Sequence, residues 1–229
     1  MRIPFFVLLA LCVALPAFAT DVDGRAPTNA GLPSSLSTGQ AAPLDTRFGP
    51  GSKQRIGAWR ELVRTQQRQP SADMLERLNL VNTFFNRIPY VSDQAHWGVE
   101  DYWATPTEVL TSNGADCEDS AIAKYLTLKE MGVPQERLRI TYVVSQRLQQ
   151  AHMVLAYYPT PDAVPLFLDN LEINIRPASE RSDLIPVYHF NDQDVLITRP
   201  GQRVVNAGSP RQLRMWHSML DKLEKETPL

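Results

Sequence analysis

The chain has 229 residues, 43% of them apolar and 21% charged, with 23 basic against 25 acidic side chains and a formal net charge of −2. That balance argues against non-specific nucleic-acid binding, which needs a basic field to neutralise phosphates, and the apolar fraction excludes a disordered chain. Two cysteines cannot build a disulfide framework or a thiolate zinc cage, and no apolar run is long enough for a membrane-spanning helix.

Met1-Arg2, the apolar run Phe5–Leu15 and the small-x-small Ala17-Phe18-Ala19 have the order of a secretory signal peptide, with cleavage expected after Ala19. Removing residues 1–19 removes Cys12 and leaves Cys117 as a lone cysteine in an oxidising compartment, where an unpaired thiol needs an explanation. Residues 20–52, rich in Gly, Pro, Ser, Thr and Ala without periodicity, are expected to form an extended or mobile arm ahead of a single domain over 53–229. From Gln54 the spacing of Ile56, Trp59 and Leu62/Val63 predicts a helix. A second helix carries Met74, Leu78, Val81, Phe85 and Ile88 on one stripe and stops before Pro89. Tyr90–Thr105 reads as a long aromatic loop that lines a groove or closes over a core, with Trp103 as a wall of the cleft or an ordinary core residue. Asp116 starts a third helix, which Gly132 and Pro134 end. Period-2 segments follow: Leu138, Ile140, Tyr142 and Val144 on one face, then His152–Tyr158, Pro165–Asp169, Val187–Phe190 and Val195–Thr198. Ser209-Pro210 opens a last helix with Leu213, Trp216, Leu220 and Leu223 inward. Helices, then strands, then a helix indicate an α+β fold with an antiparallel sheet.

Cys117 falls in the first turn of the third helix, where unpaired backbone N–H groups stabilise a thiolate and can stabilise an oxyanion. A thiol nucleophile also needs a base and a group to orient that base. Of His96, His152, His189 and His217, the sequence favours His152, at the start of a strand that can face the tip of the helix; His189 is second. Asp169 ends the strand that follows; its neighbour Asn170 could orient the imidazole instead, strand period 2 lets only one of the two face His152, and Asp169 is the expected one.

The segments Asp101–Glu108, Gly114–Asp119 and Ala121–Tyr125, with Gln150–Leu155 and Phe167–Asn170 in order after them, resemble those of the bacterial transglutaminase-like cysteine proteinases, over roughly residues 54 to 225. The resemblance implies a papain/transglutaminase-like α+β fold with the nucleophile Cys117 at a helix N-terminus, His152 as general base and acid, and Asp169 as orienter. It also implies a periplasmic endopeptidase whose substrate is the N-terminal region of a large surface adhesin, cut beside a pair of alanines, in the control of biofilms. The partner it implies is the periplasmic domain of an inner-membrane cyclic-di-GMP receptor, which sequesters the protease.

Asp116, Glu118 and Asp119 disfavour ionisation of the thiol beside them. A divalent cation cancels that penalty, and hard oxygen donors suit calcium (Ca2+) better than zinc. The resemblance implies calcium as well, so these three carboxylates are the expected ligands, with further oxygens unassigned. Two other readings use the same residues: an acyl transferase of transglutaminase or amidase type, and a non-catalytic binding module.

Overall fold

The computed structural model describes residues 49–69, 73–198 and 205–226; the expected signal peptide, 1–19, and residues 20–48 of the expected arm lie outside the described residues. Helix α1 (Ser52–Gln67) buries Ile56 and Val63, and the indole of Trp59 donates to Thr127 Oγ1 at 2.9 Å. Helix α2 (Met74–Phe85) is capped by the Asp73 carboxylate on the Leu75 N–H and buries Leu78, Val81 and Phe85. It ends at Phe85, short of Ile88, because the chain must be extended ahead of Pro89.

The expected aromatic loop is interrupted by helix α3 (Asp93–His96) and followed by helix α4 (Pro106–Ser112). Helix α4 carries a complete capping box: Thr105 Oγ1 accepts from the Glu108 N–H, Glu108 accepts from the Thr105 N–H, and Pro106 occupies the first turn. Helix α5 (Cys117–Glu130) starts at the Asp116 cap and is buried on almost every face, unlike the one-sided stripe the sequence suggested. It runs between β2 and β1 on one side and α2 and α4 on the other.

The strands are β1 (Leu138–Ser145), β2 (Gln150–Tyr157), β3 (Leu166–Leu168), β4 (Arg176–Pro177), β5 (Leu184–Phe190), β6 (Val195–Ile197) and β7 (Val205–Gly208). They form one antiparallel sheet in the order β4-β3-β2-β1-β5-β6-β7. The α+β architecture is therefore as expected, with β4 and β7 added at the edges.

The single buried face expected for β1 is wrong beyond Ile140. Tyr142 is half-buried and Val144 exposed, whereas Val143 is buried in a second small apolar cluster with Val154, Ala156, Phe167 and Leu184. The register against β5 shifts between Tyr142 and Val143, where Pro186 in β5 faces Val143. Proline gives the ladder no N–H, so a bulge absorbs it and re-aims the strand. Helix α6 (Arg214–Lys225) follows a 3-10 turn at Pro210–Gln212 and buries Trp216 and Met219. Among the described residues, no helix is long and apolar enough to cross a membrane.

Candidate active site

Cys117 is the first residue of α5, and two features fix where that helix begins. Asn113, in the left-handed conformation (φ 58°), ends α4. Ala115 is then pinned beside Tyr90, its N–H donating to the Pro89 carbonyl (3.2 Å) and its carbonyl accepting from the Val91 N–H (3.1 Å). The thiol is 9% exposed and donates to Glu118 Oε2 at 2.9 Å.

His152 lies on β2, across from Val143 of β1, in the layer of strands against which α5 packs. Leu155 pairs with Leu168, so one further step of that register sets Asp169 across from Val154. Val154 shares a face with His152, two residues away, which makes His152 and Asp169 diagonal neighbours. His152 Nε2 and Asp169 Oδ1 are 2.8 Å apart and both residues are buried.

Asp169 is held further. Oδ1 accepts from the Leu171 N–H (2.9 Å), Oδ2 accepts from Arg181 Nη2 (2.9 Å), and its main-chain carbonyl accepts from Asn86 Nδ2 at the end of α2 (2.8 Å). Arg181 is itself braced by Asp183, which accepts from Nε and Nη2 at 2.9 Å each. Burial alone would raise the Asp169 carboxyl; His152, the Leu171 N–H and the Arg181 charge outweigh it and hold the group at about 2. Lys124, two turns along α5 from Cys117, is fully buried; burial pushes its ammonium down to about 7 against the opposing pull of Asp169.

The three acids expected around a cation are divided between two overlapping groups that share Asp93. One is Asp93, Asp116 and Asp119, the other Asp93, Asp101 and Glu118, and within each group the donor oxygens lie within 4.8 Å of one another. Asp93 Oδ2 accepts from the Tyr102 N–H (2.6 Å) and Asp119 Oδ1 from the Ala104 N–H (2.6 Å), so the segment after α3 is wrapped onto these carboxylates. Asp93 Oδ1 is buried without a hydrogen-bond partner, and none of Asp93, Asp116, Glu118 and Asp119 forms an ion pair with a basic side chain among the described residues. Burial pushes Asp93 up to about 7, with the charges of Glu118 and Asp101 adding to it and the Tyr102 N–H opposing. Burial and the charges of Glu118, Asp119 and Asp93 push Asp116 up to about 12. A buried carboxylate cluster with an orphaned oxygen fits a hard divalent cation of calcium type, held by oxygen alone.

The other histidines have different surroundings, and the ring of His96 packs against Gly114. His189 on β5 is buried and pushed down to about 4 by that burial; His217 is exposed on α6 beside Asp221; His96 stacks edge-on against Trp97. Trp103 is a core residue stacked on Phe190, with ring centroids 5.9 Å apart. Sequence reasoning missed Arg181, Asp93 and Asp101 as parts of the site. Arg181 follows a connection without periodicity, and Asp93 meets Asp116 only through the fold.

Residues 57–184 match the family described as bacterial transglutaminase-like cysteine proteinase BTLCP. No curated protein matches the chain. Among solved structures, the EGTA-treated form of Legionella pneumophila LapG is 39% identical, with a TM-score of 0.70, covering 79% of this chain and 94% of that one. The calcium-bound form of the same protein is 38% identical with a TM-score of 0.67, covering 79% and 95%. The helices, the seven-stranded antiparallel sheet and these likenesses give one conclusion: the fold is transglutaminase-like, and the chain belongs to the bacterial transglutaminase-like cysteine proteinases.

Proposed function

We propose that the protein is a calcium-dependent cysteine endopeptidase with Cys117 as nucleophile, His152 as general base and acid, and Asp169 as the group that orients the imidazole. The observation that carries this reading is the buried 2.8 Å pair of His152 Nε2 and Asp169 Oδ1 on the sheet that supports the Cys117 helix. With Nε2 committed to Asp169, the imidazole keeps its proton there, and Nδ1 is the nitrogen that takes the thiol proton. The Cys117 thiolate then attacks a peptide carbonyl, and the oxyanion meets the positive end of the α5 backbone dipole at Cys117. The Nδ1 proton passes to the leaving amine as the C–N bond breaks and a thioester remains. Water gives its proton to Nδ1, attacks the thioester, and the acid is released as the thiol regains its proton.

Asp93, Asp116 and Asp119, with Glu118 and Asp101 adjoining, are the residues that would hold calcium. A bound cation supplies the positive charge that offsets their cost to the thiolate. This chain's own contribution is to present them, and to keep Glu118 within reach of the sulfur.

We extend the proposal to location, substrate and partner on the resemblance of the segments around Cys117, His152 and Asp169 to the family. We assign the protein to the periplasm, reached through the segment 1–19. Its substrate is the N-terminal region of a large surface adhesin, cut at a pair of alanines to release it and promote biofilm dispersal. Its partner is the periplasmic domain of an inner-membrane cyclic-di-GMP receptor, which sequesters it.

The test incubates the purified protein with an adhesin N-terminal fragment, with and without EGTA. Cleavage is expected with calcium and lost with chelator. Cys117→Ala is expected to melt with the parent and cut nothing; cleavage near the parent rate would refute the assignment of the nucleophile.

A further inference from the structure

Lined by the residues just before Cys117 and just after Asp169, and separate from the carboxylate cluster except through Asp116, lies a cavity of about 230 Å³. Ala115 and Asp116 line it from the residues just before Cys117, Ser120 from one turn further along α5, Asn86 from the end of α2, and Asn170 from the position after Asp169. Whatever fills it therefore touches both chain segments that carry the reacting groups.

Its lining is unusual in what it leaves unpaired. Ser120 is 5% exposed and its hydroxyl has no hydrogen-bond partner; the side-chain oxygens of Asn86 and Asn170 are also buried and unpartnered. Asn86 is fixed in that orientation because its Nδ2 donates to the Asp169 carbonyl, which leaves Oδ1 as an acceptor. Buried polar atoms are nearly always paired, so oxygens left unpaired around one cavity indicate a species that supplies donors. An aprotic anion has no donor to give the two amide oxygens and so does not fill that role. Arg87 is exposed at the lining and offers a donor to the carbonyls of the same ligand.

We infer that this cavity is a substrate subsite, built to accept backbone N–H groups of the bound polypeptide next to the scissile bond. The inference rests on the endopeptidase reading for its ligand and adds where and by which atoms that ligand is gripped. Acceptors aimed at main-chain N–H groups hold a peptide's register without reading its side chains. The cavity, smaller than clefts for drug-sized ligands, admits only a short stretch of chain.

The test uses the full protein with calcium and a degenerate peptide library. Cys117→Ala serves as a trap: it is incubated with the library, and retained peptides are quantified by mass spectrometry. Filling the cavity in Cys117→Ala/Ser120→Leu is expected to reduce retention about tenfold, and removing one acceptor in Cys117→Ala/Ser120→Ala about fivefold. Iodoacetamide labelling of Cys117 in the single variant Ser120→Leu reports whether the site is still assembled; where it is not, the Ser120→Ala pair decides. Equal retention by filled and unfilled proteins overturns the inference, since the cavity then holds ordered water only. Absence of retained peptides from Cys117→Ala overturns it as well. Cleavage of the library by the parent is read separately. Retention without cleavage sinks the endopeptidase reading and spares the subsite, whereas cleavage with retention indifferent to Ser120 does the reverse.

Discussion

The Asp169 carboxylate is gripped from three directions, by His152, Arg181 and the Leu171 N–H. Its folded value of about 2 lies below the ordinary 3.8, so it contributes stability that is complete above about pH 4 and is lost as pH falls towards 2. That contribution is about 2 kcal/mol. Arg181→Met removes one grip and its charge; it is expected to cost about 3 kcal/mol and to move the acid-unfolding midpoint upward, as read by circular dichroism across pH 2–5. Arg181→Lys should restore part of both. Sequence reasoning selected Cys117, His152 and Asp169 because each lies at or near the end of an element whose period can be counted. Arg181 escaped it because its partner is set by where an irregular connection folds back, and no local spacing records that.

At the scale of elements, α4 and α5 show two different limits of reading a pattern. The Thr105–Glu108 capping box was present in the sequence, yet the aromatic residues before it suggested one continuous loop. Thr105→Ala, which breaks the box, is expected to cost about 1 kcal/mol in urea unfolding. Helix α5 hid its environment for another reason: it is covered by a sheet and by helices, so polar residues such as Lys124 and Thr127 are buried with the apolar ones and the stripe is blurred. Helix α6 is joined to the site's supporting segment by Lys222, whose ammonium donates to the Trp103 carbonyl (2.9 Å) and Glu108 Oε2 (2.8 Å) and lies 3.6 Å from the Tyr102 ring centroid. Lys222→Met keeps the stem and removes those donors. It is expected to lower the melting temperature by several degrees, corresponding to about 1–2 kcal/mol, in a thermal scan.

For the molecule as a whole, the order of elements was enough to place an antiparallel sheet behind a helix that begins at Cys117. The edges of that sheet were not legible, because β4 has only two residues and β7 follows a stretch with no alternation. The acidic cluster that could hold the cation was legible only in part: the acids contiguous with Cys117 could be counted, while Asp93 and Asp101 are brought in by the long connection around α3. Asp93→Asn is therefore expected to weaken calcium binding at least about tenfold in calorimetry, although it lies far from the thiol in sequence. Since Asp93 belongs to both oxygen groups, the loss should exceed that from Asp101→Asn.

That shared carboxylate gives the cation a second consequence. A metal bound to Asp93 and to Asp116 or Asp119 fastens two distant points of the backbone, closing a loop of roughly two dozen residues as a reversible crosslink would. Loss of calcium frees the span carrying α3, whose remaining anchors include the Asp93–Tyr102 and Asp119–Ala104 hydrogen bonds. Chymotrypsin digestion in EGTA should then nick the chain between Tyr90 and Tyr102, at aromatic residues such as Trp97, well before it attacks the sheet, and added calcium should protect it.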